Sequence, residues 1–145
     1  MKAKSTFIVF ILMLGLFYSS MAQSGGEKIL GIWKNADNTA HIEFYKSGST
    51  YSAKLIWLPE PNAENGKPKK DKNNPNEKLR SRNIIGIDLV SGLSPEKSKW
   101  TGGKIYSPEK GVTANCSAEM PDKNALILSV SKGIISTTKK WSRIN

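Results

Sequence analysis

The sequence has too few residues of the reactive types for several common kinds of site. It contains one cysteine, Cys116, and one histidine, His41. A lone cysteine forms no intramolecular disulfide, and one Cys with one His cannot supply the usual zinc ligand set. A Cys–His nucleophile pair is disfavoured as well, because His41 alternates with Ile42 and Phe44 and so points away from the predicted interior. We therefore predict that Cys116 is a small buried hydrophobe.

Paired carboxylates and phosphate-binding loops are also lacking. The acidic residues stand singly and mostly in turns, so no pair suited to glycoside hydrolysis can be identified. Gly102-Gly103 lies in a strand pattern with no helix after it, which indicates a bulge or a sharp bend. The sequence predicts no catalytic residues, no metal and no cofactor, and an enzyme ranks behind two binding functions.

Only one long apolar run is present, and it stands near the N-terminus. Two lysines precede 12 apolar residues from Phe7 to Tyr18, and small and polar residues follow. A helix needs about 20 such residues to cross a bilayer. The short run, with Ser20 and Ala22 after it, is typical of a cleaved signal peptide. We predict a signal peptide over 1–22, export to the periplasm or the extracellular space, and a mature chain 23–145 without a transmembrane anchor.

The predicted mature chain has the length of one domain. Its acidic residues are fewer than its basic ones. It carries 20 basic and 12 acidic side chains, a net charge of +8. Such an excess suits an anionic partner, although exported proteins also carry it without one. Lysines stand beside aromatics at Lys99-Trp100 and Lys139-Lys140-Trp141. The same spacing arises in any strand with one wet face, so no nucleic-acid partner is predicted.

Sustained helical periodicity is absent, whereas almost every segment after Gln23 alternates with period two. Turn signals such as Ser47-Gly48, Ser91-Gly92 and Lys132-Gly133 separate these segments. The pattern predicts an all-β, eight-stranded antiparallel up-and-down barrel, which removes exposed strand edges. The predicted strands are 28–33, 39–46, 50–58, 84–90, 99–106, 112–119, 125–131 and 134–143.

One connection, between the third and fourth predicted strands, is far longer than the others. It runs from Pro59 to Asn83 and is rich in proline, asparagine and lysine. Loops beyond about 12 to 15 residues in a compact domain are usually functional or disordered. Two interpretations remain open, a solvated excursion over one barrel mouth and a lid over a binding site.

Alternation within the strands indicates which side chains face the barrel interior. An eight-stranded barrel is filled by its own side chains or holds one small ligand. The short side chains of Ala114, Cys116 and Ala118 either leave room for a ligand or accept a large side chain opposite them. In the fourth predicted strand, Ile87 and Leu89 share the inner face. The candidate ligand-binding residues are Phe44, Tyr51, Leu55, Trp57, Ile87, Cys116, Leu128 and Trp141.

Several motifs, in this order and over nearly the whole mature chain, resemble those of one bacterial family. They are Gly31-Ile32-Trp33, the segment Tyr51–Leu58, Asp71-x-x-Asn74-Pro75, Leu79-Arg80-x-Arg82, Gly86, Trp100-x-Gly102-Gly103-x-Ile105-Tyr106-x-Pro108-x-x-Gly111 and Trp141-x-Arg143. The chain thus resembles the small secreted bacterial proteins of domain-of-unknown-function family 2147. The resemblance implies a lipocalin-like or streptavidin-like barrel, export, and no established activity.

The two ends of the mature chain also resemble lipocalins, in which an opening Gly-x-Trp and a closing Arg pack together to close one barrel end. The resemblance implies that Gly31, Trp33 and Arg143 do so here. Two features depart from the family pattern. Ser107 stands where the family usually has Asp, and Ser131–Lys140 lacks an Arg-Gly-Tyr segment.

Two functions follow from these features. The first is a barrel that binds a small, partly apolar ligand in its interior, with the loop from Pro59 to Asn83 over the mouth. The second is an envelope-associated module whose basic surface binds a protein or an anionic polysaccharide. We place that basic surface around Lys67–Lys72, Arg80 and Arg82, and binding to it should weaken with salt.

Overall fold

The computed structural model describes residues 25–145, and within them eight antiparallel strands form a closed barrel in chain order. The strands are β1 (Gly31–Asn35), β2 (His41–Ser47), β3 (Thr50–Trp57), β4 (Asp88–Glu96), β5 (Lys99–Ser107), β6 (Val112–Asp122), β7 (Ala125–Lys132) and β8 (Ile135–Ile144). Two short 3-10 helices are Gly25–Ile29, before β1, and Glu77–Leu79, in the long loop. The predicted up-and-down barrel is confirmed. The predicted signal peptide lies outside the described residues.

The N-terminal 3-10 helix closes one end of the barrel. Its Ile29 is fully buried, and Gly26 packs so closely on Tyr51 that an added Cβ would lie 3.0 Å from the ring. The indole N–H of Trp100 donates to the Gly26 carbonyl oxygen at 3.1 Å, and that of Trp33 donates to the Ile29 carbonyl oxygen at 2.9 Å. The start of the first predicted strand, at residue 28, is therefore wrong, because the chain forms this helical plug before β1 begins.

The fourth strand lies four residues later in the chain than predicted. β4 begins at Asp88, and the preceding Ile84–Ile87 belong to the end of the long loop. Ser91-Gly92, predicted as a turn, lies inside β4, where Gly92 adopts a φ of 69°. A glycine with positive φ serves a turn and a strand irregularity equally well. Ser91-Gly92 therefore does not end the strand, although the same residues are typical of a turn.

The buried side chains of the described residues form one core cluster inside the barrel. Its members are Ile29, Trp33, Ile42, Phe44, Tyr51, Ala53, Leu55, Val90, Leu93, Trp100, Cys116, Ala118, Leu126, Leu128 and Trp141. β5 bulges between Trp100 and Gly103, where Gly102 has a φ of 72°. A Cβ on Gly103 would lie 2.6 Å from the Leu93 side chain, so this strand must approach β4 without a side chain of its own.

The pairing of β1 with β8 covers only the last part of β8. Trp141–Ile144 pair with Ile32–Asn35 of β1, whereas the earlier residues Ile135–Lys140 pair with β7 and not with β1. All of Ile135–Lys140 are exposed. The β7–β8 hairpin therefore projects beyond the seam that closes the barrel. Within residues 25–145, no helix combines the length and apolar character that a bilayer crossing requires.

Candidate functional site

Arg143 joins three segments at the closed end of the barrel. Its guanidinium carbon lies 4.2 Å from the ring centroid of Trp33. Nη1 and Nη2 donate to the carbonyl oxygens of Leu30 and Lys28 at 2.6 and 2.7 Å, and Nε donates to the β6–β7 turn at 2.8 Å. A Cβ on Gly31, whose φ is 118°, would lie 2.8 Å from Nη1. The structure thus brings Gly31, Trp33 and Arg143 together, with glycine leaving space for the guanidinium.

A second cluster surrounds Asp71, a fully buried carboxylate in the long loop. Tyr106 Oη donates to Oδ1 at 2.6 Å, and Asn74 Nδ2 donates to Oδ2 at 2.8 Å. Arg82 donates to the same Oδ2 from Nε at 3.0 Å and from Nη2 at 2.9 Å. Both carboxylate oxygens are therefore occupied by charge-assisted hydrogen bonds from within the protein.

This environment shifts the ionisation of both partners. Burial raises the pKa of Asp71, but the hydrogen bonds from Tyr106, Asn74 and Arg82, with the charge of Arg82, outweigh it and hold that pKa below its usual value. Burial, then the hydrogen bond to Asp71 and its negative charge, raise the pKa of Tyr106 to about 12. An ionised, fully bonded carboxylate beside a neutral phenol is a structural lock, not a proton-transfer pair.

The Asp71 cluster holds the long loop against the β5–β6 turn. Asn73 Nδ2 donates to the carbonyl oxygens of Glu109 at 2.7 Å and Pro108 at 3.3 Å. A Cβ on Gly111, whose φ is 64°, would collide with the carbonyl oxygen of Asn73. The family motif of the loop and that of β5 thus meet in space. Of its other members, Pro75 is exposed, while Trp100 and Gly103 belong to the buried face of β5.

The two arginines of the basic surface predicted on this loop have partners within the loop. Arg82 is bound to Asp71. Arg80 Nε donates to the Asn74 carbonyl oxygen at 2.7 Å, and its Nη1 lies 3.7 Å from Glu77 Oε1. Both arginines thus hold the loop together as well as adding charge to its surface, and the binding of an anionic partner there stays a prediction.

Six of the eight candidate ligand-binding residues belong to the interior cluster. They are Phe44, Tyr51, Leu55, Cys116, Leu128 and Trp141. Cys116 is a free thiol, and burial raises its pKa to about 11. Of the three short side chains, Cys116 and Ala118 belong to this cluster and Ala114 is partly exposed, and the choice between a filled interior and one with room for a ligand stays a prediction.

The inward placement of Trp57 is wrong. The β2–β3 register pairs Ile42 with Leu55 and His41 with Trp57, which leaves Ile56 as an extra residue and reverses the alternation. Trp57 is 37% exposed at the barrel rim, and its ring stacks on His41 with centroids 4.3 Å apart. Period-two counting carries through a bulge unless the extra residue is known.

The placement of Ile87 in the barrel lining is also wrong. Ile87 is buried, but it lies in the loop before β4 and outside the interior cluster. The interior positions of β4 are Val90 and Leu93, and Leu89 is only half-buried. Ile84–Ile87 belong to the loop, so period-two counting through them does not carry over into β4.

One polar group in the interior cluster is unsatisfied. Among residues 25–145, Nε1 of Trp141 is the buried side-chain nitrogen or oxygen without a hydrogen-bond partner. Trp141 itself is 8% exposed. A buried N–H without an acceptor costs about 1–3 kcal/mol.

Lys139 lies on the same strand face as Trp141, two residues earlier in β8. It aligns with Leu128, which is fully buried in the interior, so this face is the inner one. Lys139 is nevertheless exposed, and the inner face changes from buried to open between these two positions. The sequence reasoning missed Lys139 because charges were expected outside, although alternation from Trp141 could have placed it.

Further along the inner face, toward the β7–β8 turn, the wall is apolar. Ile105 aligns with buried Val90 and with Ala114, and Val130 aligns with buried Cys116. Ile105, Ala114 and Val130 are each partly exposed on this inner face. We call the region formed by Ile105, Ala114, Val130, Lys139 and Trp141 the barrel mouth. It combines an apolar wall, a buried donor and a cation.

Two grooves lie elsewhere on the surface. One adjoins Arg143 at the closed end, and the other crosses the outer face of β5–β8 beside Lys104 and Ser129. In the outer groove Lys104 Nζ donates to Asn115 Oδ1 at 2.6 Å. No three His, Cys, Asp or Glu side chains of residues 25–145 are grouped so that they could hold a metal ion.

An eight-stranded up-and-down barrel, plugged by a 3-10 helix and closed by a Trp–Arg contact, defines a lipocalin-like protein. The chain belongs to the family described as an uncharacterized protein conserved in bacteria (DUF2147), which matches residues 31–143. The family resemblance read from the motifs is therefore confirmed.

The chain is also similar to a solved structure, protein HP1028 from the human pathogen Helicobacter pylori, which is described as belonging to the lipocalin family. The TM-score is 0.71 with 27% sequence identity, over 81% of this chain and 83% of that chain. A comparison with curated protein sequences finds no match.

Proposed function

We propose that this protein is an exported lipocalin-like carrier that binds a small, partly apolar ligand at the barrel mouth. The observation that carries the proposal is the buried, unpartnered Nε1 of Trp141. A ligand oxygen at this position would accept the hydrogen bond that the protein does not provide. Binding pockets of this kind combine apolar walls with a few placed polar groups.

The ligand occupies the open part of the interior, not its whole length. Trp33, Tyr51 and Trp100 are buried at the closed end, where the N-terminal helix plugs the barrel. The partly exposed Ile105, Ala114 and Val130 supply the apolar wall at the other end. The ligand is therefore small, with an apolar body against this wall and an oxygen directed at Trp141.

Lys139 favours a carboxylate as the polar group of the ligand. Its ammonium stands on the same strand face as the Trp141 indole, so one anionic group between them would meet both. Lysine on a flexible stem can approach such a group without a fixed geometry. The export part of the proposal rests on the N-terminal segment, and Edman or mass analysis of the secreted chain should find Gln23 first.

Native mass spectrometry of the protein isolated gently from its own envelope fraction is the direct test of a resident ligand. A reproducible extra mass that disappears on denaturation supports the carrier. The bare chain alone, together with no binding of octanoate, decanoate or the matching alcohols in titration calorimetry, would contradict it.

Two matched pairs of variants locate the site. Trp141→Phe keeps an aromatic ring but removes the donor, and should weaken decanoate binding about 10-fold. Trp57→Phe, at the rim, should leave binding unchanged. Lys139→Met should weaken decanoate but not 1-decanol, whereas Lys140→Met on the opposite strand face should affect neither. Equal effects of the paired variants would show that binding occurs elsewhere.

A further inference from the structure

The tip of the β7–β8 hairpin carries two isoleucines in full contact with solvent. Ile134 is 103% exposed and Ile135 is 72% exposed, far more than Trp57 and Val112 at 37% each. Gly133, with a φ of 59°, forms the turn beside them. Single exposed apolar residues are ordinary on protein surfaces, but two adjacent β-branched residues at a projecting tip form a distinct apolar point.

The hairpin that carries this point has charged side chains of one sign. Between Lys123 and Asn145 the chain carries five basic and no acidic side chains. Lys132 aligns with Ile135 across the hairpin, and Lys139 and Lys140 follow on β8. The apolar tip therefore stands on a basic hairpin, which combines the two attractions that bind proteins to anionic bilayers.

The geometry favours a bilayer over a protein partner. Ile134 and Ile135 are adjacent, so their side chains leave the hairpin in different directions and form a tip, not a flat face. The open edge of β8 could in principle accept another strand, but Lys139 and Lys140 oppose such pairing. Lysine is also depleted from protein–protein interfaces.

We propose that the β7–β8 hairpin tip docks the protein onto an anionic phospholipid surface. Ile134 and Ile135 enter the boundary between headgroups and acyl chains, and Lys132, Lys139 and Lys140 contact the headgroup phosphates. The turn belongs to the open end of the barrel, so docking places the barrel mouth beside the lipid surface. The docking rests on the hairpin tip, and among its residues Lys139 is shared with the ligand site proposed above.

Vesicle co-sedimentation of the chain from residue 23 onward tests the proposal. Phosphatidylcholine vesicles are compared with vesicles that also contain phosphatidylglycerol. We expect binding to the mixed vesicles, weak binding to phosphatidylcholine alone, and release by high salt. Binding that is equal on both kinds of vesicle, or absent from both, would overturn the proposal.

Two sets of variants separate the apolar and the charged contributions. The double change Ile134→Ser and Ile135→Ser should weaken binding more than 10-fold while leaving thermal unfolding unchanged, because neither side chain is buried. Lys132→Gln, Lys139→Gln and Lys140→Gln together should weaken it about 100-fold. Lys67→Gln, Lys69→Gln and Lys72→Gln remove the same charge from the long loop. An equal loss in that control would show non-specific attraction instead of docking by the hairpin.

Insertion of the tip has its own readout. In the variant Ile134→Trp, vesicles with brominated acyl chains should quench the added fluorescence, relative to the unchanged protein on the same vesicles. No added quenching on vesicles that bind the variant would show that the tip stays outside the bilayer, and the proposal would fail.

Discussion

Replacement of Asp71 by Asn should release the long loop from the barrel. The variant keeps the shape of the side chain but removes the charge that Arg82 contacts at 2.9 Å. Its amide nitrogen would also face donors of Arg82 or Asn74, where the carboxylate accepted hydrogen bonds. Breaking a buried ion pair costs about 3–5 kcal/mol. Because the Arg82 side chain is 37% exposed and regains water, we expect the lower end, about 2–3 kcal/mol.

Thermal unfolding followed by circular dichroism at pH 7 measures this loss. For a domain of this size, about 2–3 kcal/mol lowers Tm by roughly 8–12 °C. Asp88→Asn is the matched control, because Asp88 is exposed and accepts a hydrogen bond from Tyr45 at 2.7 Å. It should cost less than about 1 kcal/mol. If the two variants unfold at the same temperature, the buried carboxylate does not hold the loop.

The same variant has a pH dependence of defined sign. The pKa of Asp71 is lowered in the folded protein, so its ionisation stabilises the fold above the unfolded-state pKa of about 3.9. That contribution is lost as the pH falls through the folded-state pKa. The Tm difference between the unchanged protein and Asp71→Asn should thus be constant from pH 6 to 8 and shrink below about pH 4. A constant difference at every pH would assign the loss to packing alone.

Three further changes test other parts of the structure. In chemical denaturation, Gly111→Ala should lower the free energy of unfolding more than Gly48→Ala. Both glycines have φ above 60°, but only a Cβ on Gly111 collides with Asn73. Equal losses of about 1–2 kcal/mol in the two variants would mean that the loop does not contact this turn closely. Arg143→Lys should lower the free energy of unfolding by about 2 kcal/mol, because an ammonium cannot hydrogen-bond several carbonyl oxygens in the geometry of a guanidinium. An unchanged Tm would show that these hydrogen bonds do not stabilise the barrel. The Cys116 thiol, whose pKa burial raises to about 11, should resist a disulfide reagent at pH 8 until denaturant is added, and rapid native labelling would show that the interior opens.

Most of the barrel could be predicted because inward and outward side chains alternate along most of its strands. In β5 to β8 the period-two pattern ends at turn residues such as Gly111 and Gly133, and each strand begins within one residue of its predicted start. β4 escaped this reasoning because Gly92 has a positive φ inside a strand. Trp57 escaped it because a bulge adds one residue without any mark in the sequence.

The Asp71 cluster could be predicted only in part. The family resemblance pointed to Asp71, Asn74 and Tyr106, but Asp71 and Tyr106 are separated by 35 residues and their contact is tertiary. Charge counting assigned Arg82 to the surface, because a sequence cannot tell a solvated cation from one paired with a buried carboxylate. The pairing became visible only when the loop was seen to fold onto β5.

Two features of the described chain have no partner within the fold. At the closed end, the indoles of Trp33 and Trp100 and the guanidinium of Arg143 all find carbonyl acceptors. Elsewhere, the Trp141 donor has no acceptor, and the isoleucines at the tip of the β7–β8 hairpin are bare. Departures from local rules without compensation within the fold tend to mark functional positions. The Asp71 cluster also anchors the long loop at the end of the barrel where the β5–β6 turn lies. We therefore argue that the Trp141 donor and the hairpin tip, not a whole end of the barrel, are the places where a ligand and a lipid surface would complete the protein.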